Sequence, residues 1–405
     1  MSYFHGMTSI KQSYQGSTLK LALLGFGLFV AGTNAFVIAG LLPDIADTLG
    51  ATPTDVSYSI TSYSLVVAVA SPVVSIVLAR VPRSLLMSAG LIVFAIGGAL
   101  AASSDSIGLF IAGRTLSGLG AAALVPTATA SAASLAPPEK RGRALAIVGA
   151  GFTLATAVGS PFGTLLGGSA GWRVPLWALV GIAVVLAVAV PLVVRGLPIG
   201  HPVSFRRRLA PLADRRILAP LGTTLLMVAG FNVVYIFSSA VTEPSTGGSG
   251  ALLAVLLLSY GIAGVFGNLA AGPATDRLGS RRAAIIGLSG QIASLIVLTF
   301  VEWSFAATIV VFAVWGFAAF AIAVPVQHRL VGVDPESAGV TLSWYSTAMY
   351  IGIAIAPPLG NAALALGGPA ALPIAGAAST LLGLILFLIS YRIRNGSREL
   401  PASGS

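Results

Sequence analysis

The chain has 405 residues, 56% of them hydrophobic and 8% charged. A soluble domain carries about 25% charged residues, so there is too little charge here to cover a water-facing surface. The net charge of +10 sits in short segments between long apolar runs, a distribution that sets membrane topology and argues against a nucleic-acid partner. The absence of cysteine excludes disulfides and thiolate metal sites.

The first apolar run, at about 20–41, follows a polar stretch and is a full bilayer span of ~20 residues. A secretory signal has a shorter apolar core, so the run reads as a retained first helix. Eleven more runs follow, at about 55–78, 85–103, 107–133, 144–167, 174–194, 217–240, 250–271, 283–301, 305–327, 338–361 and 370–391. The expected fold is an all-α membrane protein of twelve transmembrane helices. If the N-terminus is cytoplasmic, all of the 22 Lys and Arg residues except Arg114 and Arg173 fall on the cytoplasmic side or its helix ends. That bias predicts that both termini are cytoplasmic.

The segment 195–216 holds Pro198, Pro202, Pro211 and the triplet Arg206, Arg207, Arg208. It reads as a linker on the anionic leaflet between two six-helix halves, 1–194 and 217–405. The halves overlay at a shift of about 197 residues: Gly32 and Asn34 on Gly230 and Asn232, Gly118 on Gly316, Pro161 and Gly163 on Pro357 and Gly360. Parallel repeats with a site at their interface are a transporter design.

Several residues stand out along the spans. Asn34 and Asn232, at matching places, need hydrogen-bond partners in lipid, supplied either by a polar cavity or by a neighbouring helix. Asp44, past Pro43 at the outer end of the first helix, is either a protonation site or a solvated helix-end acid. Arg114 lies inside the fourth helix, where a guanidinium costs at least ~2.5 kcal/mol. Arg does not give up its proton, so Arg114 is a fixed charge that biases a nearby acid or attracts an anion, or else it binds helix-end carbonyls. Phe36, Tyr63, Phe152, Tyr235, Trp344, Tyr345, Met349 and Tyr350 could line an aromatic drug pocket or be ordinary packing. Among these, Trp344, Tyr345, Met349 and Tyr350 share the eleventh helix at near-helical spacing. His328, a lone interfacial histidine, reads as passive. No metal cluster, catalytic triad order or phosphate-binding loop stands out, so neither a cofactor, an enzyme nor ATP-driven transport is indicated.

The stretch Gly272-Pro273-Ala274-Thr275-Asp276-Arg277-Leu278-Gly279-Ser280-Arg281-Arg282 resembles the signature loop of the major facilitator superfamily, G-x-L-A-D-R-x-G-R-R. Gly32 to Ala46 is similar to the G-T-x-E-F-V-I-A-G-L-L-P-x-I-A of bacterial chloramphenicol, arabinose and sugar efflux permeases, within the drug:proton antiporter group. Arg114 with Gly118, Gly120, Ala121 and Ala122 resembles R-x-x-x-G-x-G-x-A. Gly151, Gly159, Pro161, Gly163, Gly167 and Gly168 resemble a looser antiporter motif.

The resemblance implies a monomeric bacterial inner-membrane carrier that exports small amphipathic molecules by proton antiport. It also implies a cytoplasmic gate of Gly272, Asp276, Arg277, Gly279, Arg281 and Arg282, expected on a short loop. A pliable fifth helix would seal the cavity, although tight packing explains its glycines equally well. Two positions depart from the family pattern: Ala35 replaces the first-helix glutamate, and Ala79 replaces the aspartate of the first signature loop. The first departure removes the usual proton-carrying acid. Export of a polar metabolite such as a sugar or nucleoside is the alternative reading, and a non-transporting sensor with a carrier fold is the remote one.

Overall fold

A computed structural model describes residues 2–137, 140–197, 205–301 and 303–393, with side chains from Thr18 onward and excluding Phe205. The linker prolines Pro198 and Pro202 lie outside the described residues, as do Arg394 and Arg398. Among the described residues every regular element is helical.

The helices are α1 (Ser2–Leu49), α2 (Pro53–Val77), α3 (Arg83–Ala102), α4 (Ile107–Ser134), α5 (Arg141–Ala170), α6 (Arg173–Val193) and α7 (Arg215–Ile236). A 52-residue helix, Gly250–Val301, follows a short piece at Ser238–Thr246. At ~1.5 Å per residue it is ~78 Å long, more than twice the ~30 Å apolar core of a bilayer. It is broken at Gly279, whose φ of 77° and ψ of 152° are not helical. Only glycine enters that region cheaply. The break separates α8 (250–278) from α9 (280–301). Then come α10 (Phe305–Val333), α11 (Ala338–Gly367) and α12 (Ala371–Ser390). Ten single crossings and these two limbs make the expected twelve, from eleven continuous apolar helices among the described residues.

The signature stretch therefore differs from its expected form. It is no loop of eleven residues: α8 runs on through Asp276 and Arg277, and α9 begins at Ser280. One glycine in a conformation closed to other residues reverses the chain, so the polar neighbours are not needed for a turn.

Packing within the first six helices centres on α1, which touches α2, α4 and α5; α3 packs on α4 and α6. In the last six, α7 packs on α11 and α12, and α8–α9 pack on α10 and α12. Two seams join these groups, α2 with α11 and α5 with α8. Across the first, Thr61 donates to the Ala354 carbonyl at 2.9 Å and Asn361 donates to Ser57 Oγ at 3.2 Å. Across the second, Gly261 lies against Ala157 so closely that a β-carbon would overlap its backbone. The two hydrogen bonds lie in the half of the bundle away from the basic loops, and the Gly261–Ala157 contact lies near mid-helix. Toward the basic loops, the last buried residue of α2 is Ala68. There Arg208 of the linker donates to the Pro72 carbonyl of α2 at 3.0 Å, and the Trp344 indole of α11 donates to the Arg208 carbonyl at 2.8 Å.

Candidate functional site

The centre of the first six helices holds a charge. Gly118 of α4 packs directly on the backbone of Tyr63 of α2, which brings the two helices close enough for Arg114, one turn away, to lie over the Tyr63 ring. The guanidinium carbon is 4.7 Å from the ring centroid. Arg114 is 1% exposed, and its three side-chain nitrogens have no hydrogen-bond partner among the described residues. Attachment to helix-end carbonyls is therefore not what holds it. No carboxylate pairs with it either: the ion pairs among the described residues are Arg173–Asp105 and Arg216–Asp214, both near helix ends.

Around this pair are groups from three helices. The Tyr63 hydroxyl donates to the Ala31 carbonyl of α1 at 3.2 Å. Asn34 lies beside the same hydroxyl, and its Nδ2 is buried without a partner among the described residues. Tyr350, from α11 in the other six-helix group, is buried within electrostatic range of Tyr63.

A line of aromatic rings crosses from one group to the other. Phe36 of α1 stands edge-on to Phe152 at 5.5 Å and to Tyr235 of α7 at 5.6 Å. Tyr235 continues to Tyr260 at 5.4 Å, and Tyr260 to Trp315 at 4.5 Å. Ser160 of α5 bridges the neighbours Tyr235 and Phe36: it accepts from the Tyr235 hydroxyl at 3.0 Å and donates to the Phe36 carbonyl at 3.2 Å. Asn232 donates to the Val228 carbonyl of its own helix at 2.9 Å. Its Oδ1, the Tyr260 hydroxyl, the Trp315 indole nitrogen and Thr33 Oγ1 are buried with no partner among the described residues.

The predicted cluster on the eleventh helix does not form one pocket. Trp344 bonds the linker, Tyr345 is buried beside Gln327, Met349 is half-buried and Tyr350 alone reaches the Arg114 group. Consecutive helical residues point about 100° apart, so pairs such as 344 and 345 cannot share a face.

The glycines of the fifth helix form a register. Gly151, Gly159, Gly163 and Gly167 lie against Gly25, Thr33, Val37 and Leu41 of α1, where a β-carbon would overlap in every case. Each pair differs by 126 in sequence, as two parallel helices in fixed register require. Gly168 is exposed with open space around it, so it takes no part. Pro161 is buried just after a π-helical turn, Ala155–Gly159. Pro lacks the N–H that would bond back one turn, and a widened turn accommodates that loss. This turn is where Gly261 of α8 makes its close approach.

At the basic end, Asp276, Arg277, Gly279, Arg281 and Arg282 are exposed, and Gly272 is half-exposed. No ion pair joins Asp276 to an arginine among the described residues. Instead Ser280 hydrogen-bonds the Tyr391 hydroxyl at 2.8 Å, and Arg281 and Arg329 lie over the Tyr391 ring at 5.6 and 4.2 Å. Nearby, Arg216 donates to both carboxylate oxygens of Asp214 and holds that carboxyl below its usual range. At the other end Asp44 is exposed next to Asp47, and its carbonyl accepts from Thr48.

The sequence singles out Tyr63 only as one of eight pocket candidates and gives no role to Ser160, Tyr260 or Trp315. The signal for Ser160 was its place between two motif glycines. Tyr260 and Trp315 carried none, being aromatic residues in long apolar runs.

The profile described as Major Facilitator Superfamily matches residues 24–357 and 221–404. The chain is 30% identical over 375 residues to the "Uncharacterized MFS-type transporter YbcL" of Bacillus subtilis, covering 93% of this chain and 96% of that protein. It is 28% identical to the "Inner membrane transport protein YdhP" of Escherichia coli, covering 92% and 96%. It is 30% identical to a "Chloramphenicol resistance protein" of Streptomyces lividans, over 68% of this chain and 70% of that one.

Proposed function

The chain belongs to the major facilitator superfamily of multi-pass membrane transporters, and from that premise we propose that it exports small amphipathic organic molecules across a bacterial inner membrane. Its two six-helix halves, 1–194 and 217–405, rock about a central site between them, joined by the linker 195–216.

The observation that carries this reading is the placement of contacts between the halves. Hydrogen bonds seal the end away from the basic loops, with close backbone packing near mid-helix, while α2 has no buried residue beyond Ala68 on the basic side. With the basic loops cytoplasmic, this is a carrier closed outward and receptive inward, the state in which an exporter takes up cargo. Unpaired Asp276 fits the same state: an acid–arginine gate with Arg277, Arg281 and Arg282 would engage only when the cytoplasmic side closes. The similarity to a chloramphenicol resistance protein supports export of a compact aromatic compound.

Coupling to protons is the part of the reading that this sequence weakens. Ala35 is buried in α1 where the efflux permeases carry glutamate, and Arg114 does not titrate in the working range. Asp44, nine residues further on, is exposed near the helix end and would exchange protons with the outside.

Proteoliposomes with an imposed pH gradient test both parts. A chloramphenicol-class aromatic is expected to move, with weak dependence on the gradient, and Ala35→Glu is expected to increase gradient-driven export. Strong gradient-driven transport by the unaltered chain, insensitive to substitution at Asp44, would put the coupling site elsewhere. Transport of sugars or nucleosides instead would favour the polar-metabolite reading.

A further inference from the structure

Arg114 is a buried charge without a counter-charge. The Tyr63 ring, 4.7 Å away, faces it, but a cation–π contact is worth only about 2 kcal/mol or more even when desolvated. All three side-chain nitrogens remain unpartnered among the described residues. A guanidinium presents five N–H donors in a planar fork that matches the two oxygens of a carboxylate. Leaving those donors without acceptors in a buried site costs more than the ring returns. A carboxylate matches the fork and supplies the counter-charge that no described residue provides.

The surroundings narrow its kind. Tyr63 and Tyr350 are buried rings from opposite six-helix groups, and Asn34 Nδ2 is one further buried donor without a partner among the described residues. A small hydrated ion would leave the ring faces unused. A carboxylate on an aromatic body would meet both.

We propose that Arg114 is the anion-binding group of the central site, and that the carrier's cargo includes molecules with a carboxylate on a compact aromatic body. The inference rests on the transport reading, since it supplies the cargo of that carrier. Because Tyr350 comes from α11 and Arg114 from α4, such a ligand would touch both groups at once.

Binding to the detergent-purified chain tests this without requiring transport. The probes are sodium naphthoate, the isosteric neutral naphthamide, and sodium chloride at matched sodium concentration, at neutral pH where naphthoate is ionised. Naphthoate is expected to raise the melting temperature and to bind about tenfold or more tighter than the amide. Arg114→Lys should keep a preference for the acid but weaken it, because the charge remains and the fork is lost. Arg114→Gln should bind acid and amide alike. Equal response of the unaltered chain to acid and amide, or no response to either, would overturn the proposal. So would chloride stabilising as strongly as naphthoate, which would make the site one for an inorganic anion. The comparison in the unaltered chain decides the matter even where Arg114→Gln does not fold. Acid-selective binding without movement in proteoliposomes would sink the transport reading and leave the anion site standing.

Discussion

Asp214 shows how one side chain links the linker to the helix that follows. It caps α7 by accepting from the Arg216 amide at 2.8 Å and pairs with the Arg216 guanidinium at 2.7 Å. These bonds depress its pKa in the folded state. A depressed carboxyl stabilises the fold above its unfolded pKa of ~3.9, and that contribution is lost as pH falls through the folded value. Asp214→Asn is therefore expected to lower the melting temperature at neutral pH and to flatten its decline between about pH 5 and pH 2. A decline as steep as in the unaltered chain would show that other carboxyls set the acid limb. At this scale much was legible. Arg114 stood out because a charge inside a lipid-spanning run has few explanations. That its ring partner is Tyr63 was not, because the contact depends on Gly118 docking α4 on α2, some fifty residues away in sequence.

The α1–α5 pair is the clearest element-level device. Without a hydrophobic force between helices in lipid, association depends on close contact between small residues. The register at Gly151, Gly159, Gly163 and Gly167 supplies it, and Gly168 stands outside it. Gly163→Leu should displace Val37 and cost folding yield or several degrees in melting temperature, whereas Gly168→Ala should change stability by no more than ~0.5 kcal/mol. Equal effects at both positions would mean that the register does not hold the pair. The motif glycines were visible as residues before the structure. Which of them mattered followed only from the rotation of α5, and the π-turn at Ala155–Gly159 shifts that rotation by a fraction of a turn. The signature stretch was similarly recognisable by composition yet wrong in form, because composition cannot say that Gly279 reverses the chain alone.

At the scale of the whole molecule, the twelve crossings were readable because lipid demands ~20 apolar residues for each. How the two groups meet was not, since Thr61, Ala354, Ser57 and Asn361 carry no motif. Their contacts predict a lock. In this cysteine-free chain, Ser57→Cys with Asn361→Cys should be joined by a short bifunctional methanethiosulfonate, as the tips of the parent side chains lie 3.2 Å apart. Crosslinking should stop transport, and a reductant should restore it. Undiminished transport by the fully crosslinked chain would mean that this end does not open during the cycle.

Arg208 touches both α2 and α11, through its guanidinium on Pro72 and its carbonyl to Trp344. Among the described residues, the segment leading into α7 is thus pinned at Arg208. A tether gains effective concentration as its free length shrinks. In the proposed cycle the two groups would therefore stay near neighbours when the seams at the far end separate, and this strap would limit how wide the mouth spreads.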